Sequence, residues 1–372
     1  MPTYDNCYIC GKEEATKKNS HIIPSFLIAP IFNYDGSSKR GKEVMVTITP
    51  VEEKVYIGEL PDTKIDTLFD QEKLTDERIE SELRINTASR DYIFCPKCEN
   101  DLSRYLESPY SSDYKNGNNT DPVTAYFFWL SIIWRISISG QFGVKLDREI
   151  EQNLGESLRN FFCAKDAGTP IDDIIGSCIF KYRLLRCNGY INNAAGYIVA
   201  TFDAINKILS VIIGETIISA TFSNHILPNS YNFFGSEEFM QAAPINDCST
   251  VETTIMINKE QYGGIIKNTI KVLAKQKAET EYEIVDLCWK EVGLPGHMPF
   301  EIFKYYMELL LDEKTKLGDR MTNERRVETF NAALDNFLKN DSSRDNTNSP
   351  FCATLYKHST PRGSSRNPST ED

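Results

Sequence analysis

The segments Cys7-Tyr-Ile-Cys10 and Cys95-Pro-Lys-Cys98 each place two cysteines three positions apart. A tight turn in such a pair directs both thiolates at one ion about 2.3 Å away, and two pairs complete a tetrahedral four-sulfur zinc site. Gly11 directly follows the first pair and permits the turn. We therefore predict that the two pairs bind one structural Zn²⁺. Two unrelated pairs, or a redox-active CxxC, are the alternatives.

The residues around the second pair indicate how the chain reaches this site. Residues 91–94 are a short strand-like run, and a helix-like segment follows at residues 98–106. A cysteine turn, a hairpin, and a strand leading into a helix that carries the last ligands form the treble-clef arrangement. The sequence thus predicts an N-terminal zinc module of this type.

Between the two pairs, the chain contains the segment Asn19-Ser-His-Ile-Ile-Pro-Ser-Phe26. His21 is one of four histidines, and a lone histidine beside apolar residues is by default a core or turn residue. His21 falls where a hairpin strand would run beside the first cysteine pair, and Pro24 ends that strand. This position favours a functional role for the imidazole.

With these motifs, the sequence resembles the HNH, or ββα-metal, nucleases of the zinc-bearing treble-clef type. More narrowly, CxxCG…SHIIPxF…CxxCE resembles a bacterial HNH-like family, over about residues 4–110. The resemblance implies that His21 is the general base that deprotonates an attacking water, a task suited to the pKa of imidazole. It also implies one catalytic Mg²⁺ or Mn²⁺ at the scissile phosphate, while the zinc serves only as a scaffold.

The sequence departs from the family pattern at two positions. The metal-binding Asp or His before the base is Ser20 here, and the middle Asn has no clear counterpart, because Arg90 stands near its place and Asn86 lies further back. The helical metal ligand would then be Glu99 or Asn100, directly after the second pair.

Glu99, Ser103 and Glu107 share one face of the predicted helix, at i, i+4 and i+8. Such a face can present carboxylates to a hard cation such as Mg²⁺. The alternative is a solvated face on which Glu99 stabilises the helix N-terminus. The candidate catalytic residues are accordingly His21, Ser20, Glu99 and Asn100.

Charge bears on the expected partners. The chain carries 41 Lys+Arg against 53 Asp+Glu, a formal net charge of −12. This charge argues against general binding of nucleic acid over the whole protein surface. Much of the excess lies in an insertion at residues 50–85, so the predicted module itself is close to neutral. We interpret the insertion as a solvated helix. A gate and a surface that binds a partner are the alternatives. Four basic residues beside the motifs are either phosphate contacts or ordinary surface charges: Lys17, Lys18, Lys97 and Arg104.

A polar segment at residues 111–121 predicts a domain boundary. We expect a zinc module at 1–115 that includes the acidic insertion, a larger α+β domain with helical flanks at 122–340, and a disordered tail at 341–372. Asp121-Pro122 is a preferred helix start, an N-cap followed by proline at N1. The expected elements of this domain are helices at 122–140, 147–162, 261–277, 299–311 and 324–338, and strands at 174–185, 196–202, 208–213 and 216–222.

Arg135 lies inside the first of these helices, within the most apolar stretch of the chain, residues 125–138. A guanidinium in such a run needs a partner carboxylate or a path along which it can reach water. Contact with a ligand is the alternative.

The remaining cysteines are single and are expected to be small buried hydrophobes or surface thiols: Cys163, Cys178, Cys187, Cys248, Cys288 and Cys352. The start of the sequence shows no secretory signal, and the apolar stretch at 125–138 is too short to span a membrane. We therefore expect a cytoplasmic protein without a membrane partner. Thiols and metal ligands are more usual than disulfides in that compartment.

Together these features predict a metal-dependent HNH-like endonuclease that hydrolyses phosphodiester bonds in nucleic acid, with DNA as the expected substrate. The C-terminal domain would bind a protein partner or an activating ligand, and the resemblance alone suggests bacterial defence against phage or foreign DNA. The alternative is a catalytically degenerate zinc module used for protein or nucleic-acid contact, which Ser20 and the missing Asn favour. A second His-Ile-Leu-Pro segment, at 225–228, lacks any cysteine framework and is taken as coincidence.

Overall fold

A computed structural model describes residues 5–32, 44–48, 53–57, 89–170, 178–190, 198–223, 226–310 and 323–341. Of the acidic insertion, only residues 53–57 belong to this part, and they form a strand. The rest of this insertion, for which solvated helix is expected, and the tail after Asp341 lie outside the described residues.

The described part of the chain contains helices, short paired strands and one larger sheet. In chain order they are β1 (Ser20–His21), α1 (Ser25–Phe32), β2 (Val44–Ile48), β3 (Glu53–Ile57), β4 (Ser89–Arg90), α2 (Pro96–Leu102), a π-helical turn (Ser103–Glu107), α3 (Ser108–Asn116), α4 (Pro122–Ser139), a 3-10 turn (Gln141–Gly143), α5 (Arg148–Ala167), β5 (Lys181–Arg186), β6 (Ile198–Asp203), β7 (Ile208–Ile213), β8 (Thr216–Thr221), α6 (Glu237–Ala242), β9 (Ile255–Met256), α7 (Lys259–Glu291), α8 (Phe300–Leu310) and α9 (Asn323–Asp341).

The chain divides into two compact units. The first consists of Met1–Thr47 and Glu53–Lys271, and the second of Ile48–Glu52 and Val272–Asp372. The first unit holds both cysteine pairs and the larger sheet. In the second, α8 and α9 pack with the C-terminal part of α7 around a core that includes Trp289 and Tyr306.

The larger sheet of the first unit has five strands in the order β6-β7-β8-β5-β9. Neighbouring strands run antiparallel, except that β9 pairs parallel with β5. β7 and β8 are buried on both faces and consist mainly of β-branched and aliphatic residues, which pack well on a pleated surface. The predicted α+β class is confirmed.

Helix α4 is the centre of the first unit, because every residue from Thr124 to Ser139 is buried. Its start is as predicted: Asp121 Oδ2 accepts from the Thr124 amide at 2.9 Å, and proline occupies the first helical turn. Gly140 ends the helix with a φ of 64°, a conformation that favours glycine. The hydrophobic core around α4 takes in cysteines of both pairs, α5 and one face of the five-stranded sheet.

The linker expected at residues 111–121 is wrong for its first half. Helix α3 runs through residues 108–116 and ends at Gly117, in the left-handed conformation. Its polar residues indicate a linker, but two aromatic side chains attach the helix to the core: Tyr110 stacks on Phe128 of α4 with ring centroids 3.9 Å apart, and Tyr114 packs against Phe26. Residues on both sides of the expected boundary thus share one hydrophobic core.

The expectation that the remaining cysteines are all single thiols is also wrong. Cys178 and Cys248 form a disulfide across 70 positions, joining the approach to β5 with the loop before β9. Their Cα atoms are 6.3 Å apart, within the usual range for a disulfide. The sequence could not show this, because the β5–β9 pairing that brings the two segments together is a tertiary contact. Cys187 is buried and Cys163 is exposed, as expected for free cysteines.

Gly155 lies where α5 packs against Trp134 of α4. A Cβ atom added at this glycine would lie 2.9 Å from Nε1 of Trp134, whose side chain is itself buried. We predict that Gly155→Ala lowers the free energy of unfolding by about 1–3 kcal/mol, because the indole cannot move without disturbing the core. Urea denaturation followed by circular dichroism measures the change.

The matched control is Gly264→Ala, in the exposed part of helix α7, where an added Cβ meets nothing within 4 Å. Here alanine should leave stability unchanged or raise it by about 0.5–1 kcal/mol through its better helix propensity. Equal effects at the two glycines would contradict the packing of α5 on α4.

Candidate metal centre and catalytic site

The two cysteine pairs meet in space. The sulfur atoms of Cys7, Cys10, Cys95 and Cys98 all lie within 4.8 Å of one another. Sulfur ligands around a tetrahedral zinc are about 3.8 Å apart, given a Zn–S distance near 2.3 Å. Three of the cysteines are buried and Cys10 is half-buried. The cluster could therefore bind a metal such as zinc. It is the group of potential metal ligands that the described part of the chain brings together.

Local backbone geometry directs each pair toward the cluster. In the first pair, the Gly11 amide donates to the Cys7 carbonyl at 2.8 Å, and a Gly11 φ of 65° closes the turn. In the second pair, Cys95 is the N-cap of α2, and its Sγ accepts from the Cys98 amide at 3.4 Å. Both cysteines therefore lie at a helix N-terminus, where the backbone dipoles stabilise a thiolate.

Proton sharing within the cluster already favours a thiolate. A hydrogen bond from the Cys98 side chain lowers the pKa of Cys7 to about 5. Burial, in contrast, raises the pKa of Cys95.

The histidine segment is a strand, as predicted. β1 pairs antiparallel with β4, so that Ser20 lies opposite Arg90 and His21 opposite Ser89. Asn19 enters this strand with a φ of 55°, and its amide donates to Asp91 Oδ1 at 2.6 Å. The strand pair thus ends just before the second cysteine pair in the chain, and the His21 that it carries is half-buried.

Arg135 of α4 fixes this strand to the core. Its Nη1 donates to the His21 carbonyl at 2.8 Å and to Glu107 Oε1 at 2.7 Å. Its Nε and Nη2 donate to the carbonyl and the hydroxyl of Ser131, one turn earlier on α4. The partner carboxylate that a guanidinium in an apolar run needs is therefore Glu107, and this prediction is confirmed.

Ser20 and Glu99 meet beside this arginine. The Ser20 hydroxyl and the Glu99 carboxyl are close enough that the hydroxyl helps to lower the carboxyl pKa, although burial raises that pKa more strongly. Even so, Ser20 Oγ and Glu99 Oε2 are buried without a partner of hydrogen-bonding geometry among the described residues. The charges of Arg135 and Glu107 also act on Glu99. Two carboxyls, one guanidinium and one hydroxyl therefore surround the start of the His21 strand.

The expected common face of Glu99, Ser103 and Glu107 is altered by the π-helical turn at Ser103–Glu107. A π-helical turn has a wider repeat than an α-helix, so the spacing of four no longer aligns side chains. Glu107 reaches Arg135, whereas Ser103 is exposed. π-helical turns occur frequently at functional sites.

Two candidates from the sequence lie away from this cluster. Asn100 is exposed on α2. Arg90, which stands near the expected position of the missing Asn, donates from Nη1 to the Ser139 carbonyl at 2.6 Å and so satisfies the C-terminus of α4. Asn86 lies outside the described residues.

The four basic candidates differ in their surroundings. Lys97 donates to Asp101 at 2.8 Å and to Asp166 at 2.6 Å, and these bonds raise its pKa. Its charge is therefore already balanced. The other three are exposed, and two of them lie over aromatic rings: Lys18 over Tyr92 at 5.7 Å and Arg104 over Tyr105 at 5.1 Å. Lys17 is near enough to Glu99 for its charge to act there.

No family model, curated protein or solved structure matches this chain. Among the described helices, none has the length and apolar character needed to cross a membrane.

One stabilising contact of the site had no signal in the sequence. Arg159 of α5 donates from Nε to the Ile9 carbonyl at 2.6 Å, inside the first cysteine turn. An arginine on the polar face of an amphipathic helix looks like an ordinary surface charge, and only the packing of α5 against the cysteine turn reveals its role.

The cluster predicts about one zinc per chain. Because each thiolate supplies one of four bonds, Cys7→Ser or Cys98→Ser should reduce the zinc of the folded protein to a small fraction, measured by elemental analysis after gel filtration. Cys163→Ser is the control, since this cysteine is exposed and outside the cluster. Full zinc content in the Cys7→Ser protein would contradict a four-cysteine site.

Proposed function

We propose that this protein is a metal-dependent endonuclease of the HNH type, with His21 as its general base. The observation that supports this most directly is the placement of β1: the strand with His21 pairs with β4, which lies just before the second cysteine pair in the chain, and Ser20 meets Glu99 of the helix that follows. The base and the metal ligand of such an enzyme must act on the same phosphate, which requires this kind of proximity.

His21 would accept the proton of the attacking water. An imidazole suits this step because its ordinary pKa lies near neutral pH. Arg135 binds the backbone carbonyl of His21, so the strand is fixed through its main chain. A base held on a rigid element keeps its orientation toward the substrate.

Glu99 would hold the catalytic cation. Its buried Oε2 has no hydrogen-bond partner in the described chain, and a carboxylate oxygen is a preferred donor for Mg²⁺ or Mn²⁺. The adjacent Ser20 hydroxyl offers a second oxygen. A divalent cation bound here would stabilise the charge that develops on a cleaved phosphodiester. The four cysteines would hold a structural Zn²⁺, which takes no part in the reaction.

The substrate would be DNA, with Lys17, Lys18 and Arg104 as phosphate contacts and Lys97 as a lesser one because of its two carboxylate partners. The formal net charge of −12 opposes unassisted binding to a polyanion. We therefore include in the proposal a protein partner or activating ligand that acts through the remainder of the chain. A cytoplasmic role in bacterial defence rests on the resemblance of the motifs alone.

A second candidate function is a zinc module that binds protein or nucleic acid without cleaving it. Two observations favour it. Ser20 is fully buried and is a weaker metal ligand than the Asp or His of HNH enzymes, and Lys97 is engaged by Asp101 and Asp166.

Cleavage of supercoiled plasmid with Mg²⁺ or Mn²⁺ tests the proposal. His21→Ala should slow cleavage by about 10²–10⁴-fold, because a positioned general base contributes that much to the rate. The matched control is His225→Ala, which removes the histidine of the similar segment without a cysteine framework, and this variant should keep its activity.

Equal activity of wild type and His21→Ala would exclude His21 as the base. A wild-type protein that retains its zinc but cleaves neither DNA nor RNA with either cation would favour the binding module. Glu99→Gln separates binding of the catalytic cation from binding of zinc. It should raise the concentration of Mg²⁺ that half-saturates cleavage and leave the zinc content unchanged.

A further inference from the structure

Helix α7 contains a stretch whose charge is opposite to that of the whole chain. Between residues 261 and 278 the sequence has four lysines and no acidic residue, although the formal net charge of the protein is −12. The stretch belongs to the continuous helix Lys259–Glu291. Positive charge is therefore concentrated on an element of regular geometry.

Two of these lysines, Lys267 and Lys271, lie on the exposed side of the helix in the first unit. The buried side of α7 in this unit consists of residues at spacings of three and four: Tyr262, Ile265, Ile266 and Thr269. With 3.6 residues per turn, Lys267 and Lys271 fall on the opposite side of the helix, and both are exposed. They lie one turn apart, so their ammonium groups are neighbours on the surface.

Neither lysine is balanced by a carboxylate. The positions three and four residues away from Lys267 and Lys271 contain no Asp or Glu, and neither lysine forms an ion pair with another described residue. One turn further along, Lys275 differs, because it pairs with Glu279 at 3.6 Å. Like charges four positions apart repel each other and destabilise a helix. A bound polyanion would remove this repulsion.

Gly264 lies on the same side of α7, one turn before Lys267. Glycine inside a helix is destabilising relative to alanine, and a Cβ added at Gly264 would meet no atom within 4 Å. Packing against the described residues therefore does not require glycine at this position. The missing side chain leaves the helix backbone open to the close approach of a ligand beside the two lysines.

We propose that Lys267 and Lys271 bind adjacent phosphates of duplex DNA, with Gly264 at the point of closest approach. The identity of the polyanion rests on the proposed function, in which DNA is the substrate. A duplex fits this surface because the helix holds the two ammonium groups at a fixed spacing, and the phosphates of a duplex are also regularly spaced. Lysine contacts to phosphate add affinity and carry no sequence information. The surface supplies the local positive charge that an acidic chain needs to bind a polyanion.

The salt dependence of DNA binding tests these contacts. Each phosphate contact contributes about 0.9 to the slope of log K against log salt concentration. The double variant Lys267→Gln/Lys271→Gln should therefore reduce the magnitude of this slope by about 2. Fluorescence anisotropy of a labelled duplex with the full chain measures the slope, in a KCl series without added Mg²⁺ or Mn²⁺ so that the duplex is not cleaved.

Two matched variants separate the contacts from the loss of net charge. Lys115→Gln/Lys304→Gln removes the same number of charges from exposed positions on α3 and α8, and its slope should remain that of the wild type. Lys267→Arg/Lys271→Arg keeps both charges on α7 and should also bind DNA as the wild type does.

Lys271→Glu gives an independent readout, because it should change stability and binding in opposite directions. The substitution replaces repulsion along the helix face by attraction between opposite charges at a spacing of four, so the melting temperature should stay the same or rise. DNA binding should nevertheless weaken by about tenfold or more, since a phosphate contact is lost and a negative charge is added. A loss of binding caused by unfolding would lower the melting temperature as well.

The proposal would be overturned by a wild-type protein that does not bind duplex DNA, by equal slopes of the two double glutamine variants, or by tighter binding of single-stranded RNA than of the duplex. These outcomes are distinct from failure of the nuclease. A protein that binds DNA through Lys267 and Lys271 but does not cleave plasmid would contradict only the proposed activity. Cleavage by a protein whose DNA binding is independent of these lysines would contradict only the proposed surface.

Discussion

The arrangement of the first unit depends on one buried guanidinium, that of Arg135. It lies on the buried helix α4, is 1% exposed, and donates to the backbone of His21 and to the carboxylate of Glu107. A buried charge without partners would cost several kcal/mol, so the strand and the π-helical turn must both reach it in the folded state. Arg135 therefore links three segments that are far apart in sequence. Such a buried ion pair determines which segments pack together, and it need not add to the net stability of the fold.

The cysteine cluster and Arg135 hold together different segments of the N-terminal part of the first unit. The four sulfurs join the two cysteine turns, whereas Arg135 attaches the His21 strand to α4 and Arg159 attaches the first cysteine turn to α5. A metal in the cluster would add bonds that the unfolded chain lacks and would thereby stabilise the fold. The proposed HNH chemistry needs both contributions, since it requires a fixed scaffold and a fixed position of His21 relative to Glu99.

The sequence was informative where local chemistry decides the structure. The spacing and order of the CxxC pairs predicted that four cysteines would meet, the Asp-Pro start and Gly140 predicted the bounds of α4, and enrichment in Ile, Val and Thr predicted β7 and β8. The position of Arg135 in an apolar run predicted a carboxylate partner, but not that the partner would be Glu107. The treble-clef assignment and the HNH resemblance stay predictions.

Long-range contacts explain what the sequence analysis missed. Polar composition suggested a linker at residues 111–121, yet two tyrosines attach helix α3 to the core. The disulfide between Cys178 and Cys248 follows from the pairing of β5 with β9. The π-helical turn that redirects Glu107 depends on helix packing, which no single segment encodes.

Hydrogen exchange of the segment around His21 tests the central role of Arg135 most directly. The variant is Arg135→Gln, and Arg183→Gln is the control, because Arg183 is also buried in the first unit and also donates to a backbone carbonyl, that of Ala243. Mass spectrometry should show faster exchange of the peptide with Ser20 and His21 in Arg135→Gln at unchanged zinc content. The same peptide should be unaffected in Arg183→Gln. Wild-type exchange of this peptide in a folded Arg135→Gln protein would contradict the account.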